Sequence, residues 1–247
     1  LKTVTFDVRA KGSGAVGTAP EHGALHRACA RSEVIVPVTS VTYQPVSDEA
    51  TQEACTIYYN HEGLLHKLLG CVGTYTRNIE TNGVIVYSYT MTGHSAAPTD
   101  VAFAAPGFDT AVPLVAKGAA FTVGGYAATI NALSFDAGNT IAMPKDMNSA
   151  DGYGALGITQ FGPKGSFDPL MVTGAVNDFY DDFVNGAGLA LDTGVIGSVP
   201  GNRLQIQMPA VYYTDISPGD RDGYRTYELP YAAKDVTGDD FEKEIWT

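Results

Sequence analysis

Alternation of apolar and polar side chains at a period of two runs through most of this chain. The opening TVTFDVRA sets Val4, Phe6 and Val8 against Thr5, Asp7 and Arg9, the pattern of a half-buried strand. A glycine-rich loop follows, and PEHGALHRACARSE predicts a short helix with Pro20 near its first turn. EVIVPVTSVTYQPVS reads as extended chain punctuated by Pro37 and Pro45. Residues 55–60 predict a strand, His61-Glu62-Gly63 a turn, and a second strand starts at Leu64. VGTYTRNIE and VIVYSYTMT flank Thr81-Asn82-Gly83, a hairpin signal in which Asn-Gly suits a type I′ turn. Tyr75, Tyr87 and Tyr89 alternate along these paired strands and are expected on one packed face.

GHSAAPTDVAFAAPGFDTAVP breaks the pattern with three prolines and no periodicity, which marks residues 93–118 as a linker. Strands resume in FTVGGYAATINALSFDAGN and GSFDPLMV. NDFYDDFVNG predicts a helix with Val176, Phe179, Tyr180 and Phe183 on one face and Gly186 as its stop. GLALDTG, NRLQIQMPAVYYTDI and GYRTYELPYAA complete a strand-rich ending. Each side of the linker therefore repeats one order: strand, loop, short helix, antiparallel strands. This predicts an internal duplication, with units at 1–92 and 119–247. The chain opens with Leu1 almost inside a strand, so residues upstream are expected to supply the first unit's counterpart of GYAATINALSFDAGN.

Composition fits a globular β protein: hydrophobic residues make up 45% and charged ones 17%, with 28 glycines and 14 tyrosines. No apolar run approaches a membrane span, and no secretory leader is visible. Three widely spaced cysteines, Cys29, Cys55 and Cys71, point to reduced thiols rather than a disulfide framework. Net charge is −12, but residues 1–31 hold five basic side chains against two acidic ones, leaving −15 for the remainder. Such a surface repels nucleic acid, which argues against sequence-specific DNA binding.

Three motifs invite chemistry and none carries it. His61 and His66 are five residues apart and flank a turn, whereas a zinc helix needs His-Glu-x-x-His, and Cys55 and Cys71 lack paired C-x-x-C spacing. GSGAVG at 12–17 follows a strand, but Thr18-Ala19-Pro20 delays the helix that a dinucleotide site would need at those glycines. Acids cluster at Asp178, Asp181 and Asp182 and at Asp239, Asp240 and Glu242, and both groups read as solvated surface. No nucleophile elbow or P-loop is present. No enzyme, cofactor or metal site is expected.

Several phrases together resemble the major tail tube proteins of long, flexible-tailed bacteriophages. They are GALHRACARSE (23–33), VTYQPVS (41–47), LLHKLLGCVGTYTRNIETNGVIVYSYTMTGHSAAPTDVA (64–102), GGYAATINALSFDAGN (124–139) and DRDGYRTYELPYAA (220–233). Ala30 stands where that resemblance leads one to expect glycine.

The resemblance implies a mainly β fold of two tail-tube-like β-sandwich or half-barrel units, each with a short α-helix. Inner sheets of neighbouring copies would join into an inter-subunit β-barrel ring. It implies a structural virion protein of the tail, assembled in the host bacterial cytoplasm. Stacked rings would hold a tape-measure protein and conduct genomic DNA without sequence-specific binding. Tail terminator and distal tail proteins would be further partners, and no membrane is involved. Two units of about four inner strands per chain give roughly 24 strands in a trimer and a barrel on the order of 40–50 Å across. Trimeric, pseudo-sixfold rings are therefore expected, with a hexamer as the alternative. An acidic lumen would let DNA slide. The polar segment 44–53, with Gln44, Ser47, Asp48, Glu49, Gln52 and Glu53, is expected to be an unpaired loop reaching a neighbouring subunit or ring. The competing reading is a non-catalytic β-sandwich binding module, an adhesin or carbohydrate binder, which would need an exposed aromatic platform.

Overall fold

The computed structural model describes residues 1–102, 105, 107 and 111–247. Its first half contains β1 (Lys2–Arg9), α1 (Gly23–Arg27), β2 (Arg31–Val36), β3 (Ser40–Pro45), β4 (Cys55–His61), β5 (Leu64–Glu80), β6 (Val86–Ser95) and β7 (Thr99–Asp100). The second half begins with β8 (Thr122–Val123), β9 (Ala132–Asp136), β10 (Thr140–Ala142), β11 (Gly157–Gln160), β12 (Lys164–Phe167) and α2 (Phe179–Val184). It ends with β13 (Leu189–Asp192), β14 (Ile196–Val199), β15 (Asn202–Tyr213), β16 (Ser217–Arg221), β17 (Tyr224–Lys234) and β18 (Lys243–Trp246).

The strands build a sandwich whose two layers share one strand. One layer is a wall in the order β1-β6-β5-β9-β12-β17, with β16 on the far side of β17. The other runs β2-β3-β18-β15, and β13 and β14 also pair with β15. β15 belongs to both: residues 204–207 pair with β18, and residues 210–213 pair with β17. No barrel closes among the described residues.

Register explains how the wall presents two different faces. Across it, Val8, Tyr87, Arg77, Phe135, Gly165, Tyr231 and Tyr213 stand in one row. All turn toward the second layer, because successive side chains on a strand point to opposite faces. Tyr75, Tyr87 and Tyr89 are buried and their rings touch, as the alternation predicts. The next row is Asp7, Ser88, Thr76, Asp136, Lys164 and Ala232, and the one after is Arg9, Val86, Asn78, Ser134, Ser166 and Pro230. Apart from the end near Val72, which packs against Ala30 and Ile158, that face carries no second layer among the described residues.

The order of elements repeats on the two sides. In the first half β1 pairs with β6, and β6 pairs with β5. In the second, β12 pairs with β17, and β17 pairs with β15 and β16. α1 follows β1 and α2 follows β12. The halves meet in one continuous ladder where five residues of β5, 76–80, pair with β9. They also share a single main core cluster.

Several local expectations need correction. Asn82 is left-handed (φ 61°) but Gly83 is not, and the Gly83 N–H donates to the Glu80 carbonyl, so the turn is not type I′. Two consecutive left-handed residues do occur at Glu62-Gly63 and at Asp222-Gly223, where the β4–β5 and β16–β17 hairpins close. On α2, Phe179 and Phe183 face the core, but Val176 precedes the helix and Tyr180 is exposed. Asp178 caps that helix by accepting from the N–H groups of Tyr180 and Asp181, and Gly186 (φ 61°) ends it. Ala30 adopts φ 55° just after α1, a conformation glycine takes freely, which gives a physical reason for glycine there. In the segment 93–118, β6 extends to Ser95 and β7 pairs with β5, while Leu114 and Ala116 hydrogen-bond to Ala10, Gly83 and Ile85 or Asn82. Its residues 103, 104, 106 and 108–110 lie outside the described ones.

Gly165 sits on β12, one strand from the β5–β9 joint, between Phe135 and Tyr231 in the core row. An added Cβ would lie 2.1 Å from the Ser134 carbonyl and 2.5 Å from the Tyr231 hydroxyl, which itself donates to that carbonyl. Gly165→Ala is therefore expected to destabilise the protein by about 1–3 kcal/mol, measured as a lower urea midpoint with unchanged slope. A midpoint equal to that of the native protein would show that the site yields without cost.

Candidate assembly edges and a buried ionic latch

Two kinds of feature bear on function: strands with one side unpaired, and ionised groups inside the core. Among the described residues, β1 pairs only with β6, β16 only with β17, and β2 only with β3. β1 and β16 lie at opposite ends of the same wall. The exposed face between them carries shallow depressions lined by Thr76, Asn78, Ser134, Asp136, Lys164, Ser166 and Pro230. Along β1, β6, β5, β9, β12 and β17 its charged positions are Asp7, Glu80, Asp136 and Glu228 against Arg9, Lys164 and Lys234. Hydroxyl and amide side chains fill most of the rest. The chain's acidic excess therefore lies mainly elsewhere.

The core between the layers holds a set of charges that the alternation of β18 creates. Glu242, Glu244 and Trp246 point inward, two residues apart, and all three are buried. From the wall, Arg77 reaches both carboxylates: its NH2 donates to Glu242 Oε1 at 2.6 Å and its NH1 to Glu244 Oε2 at 3.0 Å. Arg31, the first residue of β2, forms an ion pair with Glu242 Oε2 at 2.8 Å while its guanidinium faces the Tyr75 and Phe241 rings. The Tyr75 hydroxyl and the Trp246 indole N–H donate to Glu242 and Glu244, each at 2.8 Å. His26 Nε2 lies 3.3 Å from Glu244 Oε1. Two arginines thus balance two carboxylates in a site closed to water.

Burial alone would push the Glu244 carboxyl up, but His26 and Arg77 outweigh it and hold it far below the usual carboxylate range. Burial, reinforced by neighbouring His26, lowers His22 from 6.5 to about 3, so its imidazole is neutral. His22, His26 and Glu244 each offer one ligand atom, all within 4.8 Å of one another. Glu244 is already committed to Arg77, Trp246 and His26, however, and a divalent cation beside two buried guanidiniums would be uncompensated. The arrangement works as a latch between layers rather than as a metal centre.

The residues singled out from sequence fall differently. Glu242, expected on a solvated surface with Asp239 and Asp240, is 1% exposed because the period of β18 turns it into the core. Asp178 is spent as a helix cap. GSGAVG is packed as a structural loop: the Gly12 N–H donates to Asn202 Oδ1 at 2.7 Å and the Gly14 N–H to the Gly201 carbonyl. His61 lies beside the β4–β5 turn, and His66 stacks on Tyr59 across the hairpin. In the segment 44–53, Gln44 belongs to β3 and pairs with Ser32. Ser47 donates to Asp239 through its N–H and hydroxyl, Gln52 brackets the Ile158 backbone, and Glu53 meets Arg27. Asp48 and Glu49 remain exposed. Arg31, Arg77, Glu244, His22 and His26 escaped the sequence reading, although the alternation Tyr75-Arg77-Ile79 already placed Arg77 on the inward face.

Arg77→Met leaves Glu242 and Glu244 short of one positive partner and is expected to cost about 3–5 kcal/mol in urea unfolding. Arg77→Met with Glu244→Leu leaves Arg31 and Glu242 as a balanced pair and should cost less than Arg77→Met alone. A double variant less stable than that single variant would contradict the latch.

No curated protein matches the chain. The mainly β sandwich agrees with the family whose model aligns with the chain. The chain belongs to the phage tail tube protein family, structural components of the virion tail, with residues 3–233 matched.

Proposed function

We propose that the polar-faced wall is one arc of a tube, and that copies of this chain join through their β1 and β16 ends into rings that stack. The observation that supports this best is a polar-faced wall with a one-sided strand at each end. Such rims pair with any strand they meet, and closure by identical copies removes that liability. The β5–β9 joint offers a template within the chain, since it already links two similar three-strand arrangements through five residue pairs.

On this reading residues 1–92 and 119–247 are two quasi-equivalent units, joined by 93–118, and three chains make a pseudo-sixfold ring. Three walls of seven strands, at about 4.8 Å per strand with barrel tilt, give a ring on the order of 40 Å across between backbones. Six walls would give about twice that, which makes the hexamer the poorer fit for duplex DNA. The polar face would line the bore. Its short hydroxyl and amide side chains and nearly balanced charge offer DNA and a tape-measure protein little to grip, so sliding here rests on weak adhesion more than on acidic repulsion. Asp48 and Glu49 at the exposed bend of 44–53 would face a neighbouring subunit or ring. A long flexible tail, with terminator and distal tail proteins as partners and ejection through the bore, completes the proposal. The binding-module alternative loses its aromatic platform, because Tyr75, Tyr87 and Tyr89 are interior.

Purified protein imaged by negative stain is expected to form long hollow tubes, with end-on averages showing three copies per ring and near-sixfold outline. Protein that stays monomeric at high concentration would overturn the assembly reading. Rings of six whole chains would overturn the trimer.

A further inference from the structure

Two of the three thiols occupy a position that the assembly reading does not use. β4 and the first part of β5 form a hairpin in which none of residues 56–67 is buried, an arm that meets the core only near its root, at Cys55 and Ile57. Cys55 and Cys71 are directly opposite each other at its root. The ladder is irregular there on both sides, between Cys55 and Ile57 on β4 and between Leu69 and Val72 where β5 meets β6, and Gly70 is left-handed (φ 58°). Behind the pair, Gly93 leaves room for sulfur, since a Cβ there would lie 2.5 Å from Cys71 Sγ. Directly opposed residues in an antiparallel ladder have Cα atoms roughly 4.5–5.5 Å apart, within the span a disulfide bridges.

We propose that Cys55 and Cys71 form an oxidisable dithiol that closes into a cross-strand disulfide, stapling the arm to the wall. The two thiols differ in the way such chemistry needs. The hydrogen bond from Cys71 holds the half-buried Cys55 below its ordinary range, which favours the thiolate. The same contact, with burial, pushes Cys71 up. Cys55 is partly exposed whereas Cys71 is fully buried, so Cys55 is the sulfur an oxidant reaches first and Cys71 the resolving one. With a small-molecule disulfide as oxidant, the Cys55 thiolate attacks one of its sulfurs and releases one small thiol. Cys71 then loses its proton and attacks the Cys55 sulfur, releasing the second small thiol. Two protein thiols are oxidised to one disulfide, and the small disulfide is reduced to two thiols. Cys29 stays out: it is buried against Met91, and burial pushes its thiol up.

The chain supplies a direct readout. Arg31, Lys67 and Arg77 place Cys29, Cys55 and Cys71 in three different tryptic peptides, with Cys55 within 32–67 and Cys71 within 68–77. Native full-length protein is incubated with oxidised glutathione, denatured, alkylated and digested. The expected result is a peptide 32–67 linked to 68–77, the loss of two alkylatable thiols, and Cys29 still alkylated. Three alkylated cysteines, glutathione retained on Cys55 without cross-linking, or a link that includes Cys29 would each overturn the proposal.

Discussion

Backbone N–H and C=O groups in a strand need partners on both sides, and β1 and β16 have them on one side only. This constraint organises the molecule. The wall cannot roll up within one chain, because its two end strands lie at opposite rims. Its polar face cannot be buried by the second layer, which already covers the other side. A polar-faced sheet with one-sided strands at both ends suits a structural subunit of the tail. The family assignment and the fold therefore point the same way for separate reasons.

A wall that is to bear load in an assembly has to keep its shape, and the buried charges address that need. Arg77 sits in the centre of the inward row and grips two carboxylates on β18, a strand of the opposite layer. Apolar contacts alone tolerate sliding, whereas a guanidinium forked between two acids fixes register and separation. The latch also fastens the C-terminal strand, which lies beyond the matched residues 3–233, to the centre of the wall.

Much of this was legible in the sequence where the period of two is clean. The strands around Val4, Tyr75 and Tyr87 and the two short helices follow from alternation, capping and glycine. What escaped notice came from reading charge as surface. Glu242 looked like part of an acidic tail, but its position in Glu242-Glu244-Trp246 matters more than its type. Arg77 likewise occupied a core slot between Tyr75 and Ile79. Neither residue reveals its partner, because the contact spans 165 residues. The segment 44–53 looked unpaired for a similar reason: Ser47 is held by distant Asp239, and Gln52 by distant Ile158. Local pattern shows which way a side chain points, and only the fold shows what it meets.

Amide hydrogen exchange on assembled tubes and on dispersed protein tests the account most directly. If rims join copies, residues 2–9 and 217–221 should exchange on the order of tenfold or more slowly once assembled, while the buried row from Tyr87 to Tyr231 changes little. Equal exchange at both rims in the two states, with protection arising elsewhere, would contradict it.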